Sequence, residues 1–346
     1  MSMLVTGASG FLGTAVVGRL FARGIPKVRC FVRPTSQTAY LEEVSRTYAG
    51  CDIEYVVGNL ISSQDCRRAL QGVSTVFHIA AQMKGAPAAM FLNTVVTSGR
   101  LLDAIQESPV ERMVLISSLS VYGPRQDATT IVDENSEIEP EWRKRDPYSQ
   151  TKLWQESLFH EAQKSMSFDL QVLRPGVIYG ARGDHFSGRV GVKMGDCLWL
   201  LGRNNILPLT YVENCADAIV FAGLKHTVTG CYNVVDDDLP TAAEYVRAYK
   251  EQVGDVRSIW FPWWLTMAMS KAVESYSEFS HRQIPPALTP YKSAVLWRGL
   301  RFDNRKLKSI GWKQLVPTAE ALIATFRHWH CCPVKSRTES VGWRFR

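Results

Sequence analysis

Met3-Leu4-Val5-Thr6-Gly7-Ala8-Ser9-Gly10-Phe11-Leu12-Gly13 is the stretch that decides the fold. Residues 3–6 are a short apolar run, and Gly7 to Gly13 is a turn of small residues. From Phe11 to Arg23 apolar residues recur at helical spacing (Phe11, Leu12, Val16, Leu20, Phe21), and Gly24 and Pro26 stop that helix. Residues 28–32 read as a second buried strand, which Arg33-Pro34 ends.

The same rhythm continues outward. Strands are expected at 53–57, 73–79, 112–117 and 170–174, with helices at 63–71, 88–108 and 149–165. Strands alternating with helices of this length give an α/β fold of Rossmann type, a doubly wound parallel sheet covered on both faces. After about residue 175 the alternation loosens. We expect a nucleotide-binding half at 1–175, with 209–224 returning to it, a smaller α+β substrate lobe at 176–330, and a basic tail at 331–346.

The chain has 346 residues and a net charge of +7. The last 46 residues hold ten Lys/Arg and three acids, so the first 300 are neutral overall. A neutral body gives no reason to expect nucleic acid as a partner. Eight Cys lie scattered with no C-x-x-C spacing, which suits reduced thiols and a cytoplasmic location. No leader pattern and no 18-residue apolar run is expected to direct the chain through a membrane.

Three glycines between the first strand and its helix suit a phosphate. Glycine admits unusual dihedrals and close approach, and backbone N–H groups at a helix N-terminus favour negative charge. The segment Gly7, Ser9, Gly10, Phe11, Leu12 and Gly13 is therefore the expected dinucleotide-binding turn. At the end of the second strand an acid would suit the ribose hydroxyl of NAD. This chain has Arg33 there and no acid before Glu42, so NADP(H) is favoured over NAD(H).

Tyr148 and Lys152 lie four apart and share one helix face. A phenol titrates near pH 10, and a neighbouring ammonium is expected to lower that value until Tyr148 can move a proton at neutral pH. A strand ends at Ile116-Ser117-Ser118-Leu119-Ser120, where open α/β sheets bind ligands. One of its three serines could hold a substrate oxygen, and spacing does not choose among them.

With these pieces in order, the sequence resembles the extended short-chain dehydrogenase/reductase superfamily, the group of the NAD-dependent epimerase/dehydratases and 3β-hydroxysteroid dehydrogenases. The pieces are the glycine turn, Phe77-His78-Ile79-Ala80-Ala81, the segment from Ser117 to Gly123, Tyr148-x-x-x-Lys152, Leu173 to Gly180, and Asn304-x-Lys306-Leu307-x-x-x-Gly311-Trp312. The resemblance implies that Tyr148 is the catalytic acid/base and Lys152 its neighbour and a ribose ligand, with Ser118 donating to the substrate oxygen. It further implies cofactor contacts at Asn59, Leu60, Ala80, Ala81, Ser117, Pro175 and Val177. Asn59-Leu60 stands where the family usually has Asp-Leu. Val177 stands where sugar-nucleotide members carry an Asn, and valine cannot make that hydrogen bond. The expected reaction is thus interconversion of a secondary alcohol and a ketone on a lipophilic small molecule. A sugar-nucleotide epimerase or dehydratase is the alternative, and a non-catalytic cofactor-binding protein the third reading.

The segment 260–276 is dense in Trp, and it reads as a lipophilic wall of the pocket, a membrane-interface contact or a core helix. His328, His330, Cys331 and Cys332 lack a zinc spacing, and no metal is expected. His78 reads as a packed strand-end residue. A homodimer is compatible with this class.

Overall fold

Continuous apolar strands need cover on both faces, and the sheet that forms here has it. The computed structural model describes residues 2–124, 130–225, 229–280 and 288–331. The expected basic tail lies outside these residues except for Cys331. Five strands come first: β1 (Ser2–Thr6), β2 (Lys27–Val32), β3 (Asp52–Val57), β4 (Val73–His78) and β5 (Arg112–Ile116). Two later strands, Asp169–Pro175 and Gly230–Val234, complete a seven-stranded sheet. Its order is Gly230–Val234, Asp169–Pro175, β5, β4, β1, β2, β3, and every pair is parallel. β5 is buried along its whole length, whereas the edge strand β3 buries only Ile53 and Val56.

Helices cover the two faces. α1 (Phe11–Ala22) and the helix Val212–Leu224 pack on one, and α3 (Ser63–Leu70), the helix Thr97–Ile105 and the helix Pro147–Gln163 on the other. The fold class read from the sequence is the one observed. Gly230–Val234 is an additional return to the sheet that the sequence reading left in the smaller lobe. The helix α2 (Ala39–Thr47), also unread, fully buries only Leu41, with Val44 packed beside it against the same core. The helix expected at 88–108 is interrupted by a wide turn at Leu92–Val96.

The smaller lobe holds a three-stranded sheet, Val192–Met194, Cys197–Leu200 and Arg257–Trp260, and several helices. Trp263–Phe279 is not a core helix: its buried residues are Thr266, Ser270 and Ser277, while Trp264 is 70% and Phe279 83% exposed. No helix among the described residues is long and apolar enough to cross a membrane.

Candidate active site

The glycine turn closes on itself. Gly7 has φ +70°, and a Cβ there would stand 2.8 Å from the Ala80 nitrogen. A Cβ on Gly13 would stand 2.1 Å from the Gly7 carbonyl oxygen. The backbone itself therefore excludes side chains at both. Gly10 differs: its φ is −75°, and a Cβ would meet only the Gly7 oxygen, at 3.2 Å. It caps α1 without any side-chain bond to the first turn, leaving those N–H groups facing out. This cradle, which a side chain at Gly10 would fill, fits a dinucleotide pyrophosphate.

The other expected contacts lie around this cradle. Arg33 is exposed at the end of β2, and its backbone N–H donates to the Ser36 hydroxyl. Asn59 is exposed just past β3, its side-chain oxygen accepting from the Ile61 N–H, with Leu60 buried beside it. Ala80 donates its N–H to Thr6, and it and Ala81 follow β4. Pro175 ends a sheet strand, and Val177 begins the short strand Val177–Tyr179. Sequence reading missed Arg182: it donates to the Phe11 carbonyl and lies over the rings of Phe11 and Tyr40, beside the turn.

Pro147–Gln163 starts at Asp146, whose carboxylate accepts from the Ser149 N–H, with Pro147 in the first turn. That start sets Tyr148 and Lys152 on the face toward the end of β5. Of the three serines, Ser117 is buried and donates to Glu156 at 2.6 Å, and the Ser120 hydroxyl has no partner. Ser118 is the one hydrogen-bonded to Tyr148. The expected lowering of Tyr148 is not found. Burial pushes the phenol up to about 12, Ser118 opposes this, and the Asp146 charge adds to it. Lys152 does not offset the burial because its ammonium is engaged elsewhere, donating to the Ile116 carbonyl at 2.7 Å and to Gln155 at 2.9 Å. Burial lowers Lys152 itself to about 7, against a smaller rise from Glu156.

Two buried networks hold this arrangement. Gln155 donates to Ser98 at 2.8 Å, Ser98 bonds His78 at 2.9 Å, and His78 bonds Thr6 at 2.8 Å. Lys152 is thus tied to the base of the glycine turn. Burial, then the Lys152 charge, holds His78 down to about 3, so it is a neutral structural link. In the second network Glu156 accepts from Ser117 and Arg174, and Arg174 donates to the Tyr122 hydroxyl. Burial pushes Glu156 up, but bonds from His160, Arg174 and Ser117 outweigh it and hold the carboxyl at about 2.

Glu156, His160 and Cys231 are the one group among the described residues with metal-donor spacing. The Arg174 guanidinium bonds Glu156 and lies 3.6 Å from the Cys231 sulfur, so a cation there would face a fixed positive charge.

A family model described as NAD dependent epimerase/dehydratase family matches residues 3–234. Sterol-4-alpha-carboxylate 3-dehydrogenase, decarboxylating, of Mus musculus is 24% identical, over 94% of this chain and 90% of that protein. The 2-alkyl-3-oxoalkanoate reductase of Shewanella oneidensis is 27% identical, over 92% of this chain and 84% of that one. Among solved structures, the UDP-glucose 4-epimerase of Thermus thermophilus in complex with NAD has a TM-score of 0.68 at 22% identity, covering 96% of this chain and all of that one. That likeness is one of fold.

Proposed function

The chain belongs to the NAD dependent epimerase/dehydratase family, and from that membership we propose that it interconverts a secondary alcohol and a ketone on a lipophilic small molecule. The observation that carries this reading is Tyr148 hydrogen-bonded to Ser118, with Lys152 buried one turn further along the same helix. The enzyme is an NAD(P)-dependent oxidoreductase of the extended short-chain dehydrogenase/reductase type. The names of the mouse and Shewanella relatives, a sterol dehydrogenase and an oxoalkanoate reductase, support a lipophilic alcohol or ketone.

Bound NAD(P) supplies or accepts the hydride. Gly10 and the first turn of α1 would hold its pyrophosphate, and Arg182 would close over that segment. Arg33 is free to pair a 2′-phosphate, which supports NADP(H) over NAD(H). Asn59 and Leu60 would flank the adenine, Ala80, Ala81, Pro175 and Val177 would line the nicotinamide side, and Lys152 would reach the ribose. Ser118 donates to the substrate oxygen and orients it toward Tyr148. A phenol raised to about 12 keeps its proton through neutral pH, which suits the donor's part in ketone reduction.

Tyr148→Phe is expected to lower turnover by at least about 100-fold while leaving cofactor affinity within about twofold. Activity near wild type in that variant sinks the assignment. The same assay, run with NADPH and NADH, reads the cofactor preference. The family description, epimerase/dehydratase, supports a second reading, a sugar-nucleotide epimerase or dehydratase that returns its hydride to the substrate. Val177 counts against it. Conversion of UDP-glucose without net consumption of NAD(P)H would favour this second reading.

A further inference from the structure

Resting on the oxidoreductase reading, we propose that the substrate is an acid, its carboxylate seated on Arg145 beside the reacting carbon, with Arg189 as the second positive charge of that seat. Arg145 lies three residues before Tyr148, and it is 6% exposed. Its Nη2 donates to the Ser120 carbonyl at 2.8 Å and the Ser149 hydroxyl at 3.1 Å. It therefore bridges the two segments that present Ser118 and Tyr148. Among the described residues its Nε and Nη1 are buried with no partner in direct hydrogen-bond geometry, and neither does the Ser120 hydroxyl have one.

Folded proteins pair nearly all buried donors, and an unpaired buried guanidinium is costly. The neighbouring acids do not meet the need. Glu139 accepts from the Glu141 N–H at 2.7 Å and from the Tyr291 hydroxyl, and that hydroxyl also hydrogen-bonds the Arg145 side chain, leaving its Nε still without a partner among the described residues. Asp146 is engaged by the N–H and hydroxyl of Ser149. Among the described residues neither forms an ion pair with Arg145. Among the described residues Arg189 makes one long bond, 3.4 Å to the Val295 carbonyl, and the Ser187 hydroxyl two residues before it has no partner. Burial and the like charge of Arg145 push Arg189 down to about 10, against the opposing Asp146. Two guanidiniums that repel one another, with open donors, are complementary to an oxyanion. Position chooses the carboxylate. A β-hydroxy acid carries its carboxylate two bonds from the reacting carbon, whereas a sugar nucleotide carries its diphosphate across the ring.

The test uses the full chain with NADP(H) and three probes: β-hydroxydodecanoate, its methyl ester and UDP-glucose. We expect kcat/KM for the acid to exceed that for the ester by about 30-fold or more, the worth of a buried charge-assisted pair. Arg145→Gln should bring the acid-to-ester ratio close to one. Arg145→Lys should recover part of it, which also reports that the protein folds. Arg189→Gln should lower the ratio less. Equal use of acid and ester by the wild type, an unchanged ratio in Arg145→Gln, or turnover of UDP-glucose alone overturns the proposal. Calorimetric binding of acid and ester to the Tyr148→Phe protein with NADP⁺ separates the two readings. Tighter binding of the acid, lost in the Arg145→Gln double variant, sustains the carboxylate seat even if no alcohol is turned over. Equal binding, or none, overturns it.

Discussion

Lys152 is a buried ammonium with a folded value of about 7, against an ordinary 10.5. Between those values the unfolded chain holds more protons than the folded one, so stability rises with pH across that window. Below pH 7 the cost of the buried charge is fully present. Raising the pH from 7 to 10 should therefore stabilise the wild type relative to Lys152→Met, as measured by urea unfolding at each pH. Identical pH dependence in both proteins would show that the ammonium is not desolvated. At this scale Tyr148, Lys152 and the glycines were legible because each rests on local spacing. Spacing did not choose Ser118, which came from the family resemblance alone. In the structure Glu156 engages Ser117, a contact 39 residues away in sequence that local spacing does not reveal. Arg182 was missed because it reaches the glycine turn from 171 residues downstream.

The helix Pro147–Gln163 places Tyr148, Lys152, Glu156 and His160 at successive intervals of four, all on one face. The first two serve the cleft, and the second two serve the framework beneath it. Glu156 and Arg174 are each 3% exposed at the side chain. Removing one partner of such a pair leaves the other charge buried alone. Glu156→Gln should therefore cost about 3 kcal/mol of unfolding free energy, within the range for broken buried pairs. A loss below about 1 kcal/mol in denaturant titration would mean the pair is solvated in solution. The held-down carboxyl sets the sign with pH: its stabilisation is present above about 4.5 and is lost as the pH falls toward 2. The continued spacing of four was visible in the sequence and could have marked Glu156. The segment 260–276 was harder to read. Its aromatic density resembles a core helix, yet the face it buries carries hydroxyls, and Ser270 bonds Ser293 at 2.7 Å.

Six of the seven strands of the sheet lie within the first 175 residues, and 209–224 was expected to return to them. More of the later chain joins that core than this one segment. The core on the α1 face includes Val212, Ile219, Tyr232, Val234, Leu307 and Trp312, all from beyond residue 175. Asp217 accepts from Arg19 at 2.6 Å, Arg23 at 2.7 Å and the Trp312 indole N–H at 3.0 Å, so α1 is clasped by the later half of the chain. Asn304 donates to the Val235 carbonyl and to Asp237, anchoring the segment that delivers Leu307 and Trp312. A fragment 1–175 would expose one apolar face of its central strands, and apolar burial is the main favourable term in a domain of marginal stability. We expect that fragment to show no cooperative unfolding transition by circular dichroism and no NADP(H) binding, although it carries the whole glycine turn and the Tyr148–Lys152 pair. Cooperative melting with cofactor affinity near that of the full chain would show that the returning segments cover the core without being needed to form it. The periodicities that reveal each strand and helix are local, whereas the cover that makes α1 a buried helix arrives about 200 residues later. For that reason residue 175 marks where the rhythm of the sequence changes, while the core on the α1 face draws residues from β1 to Trp312.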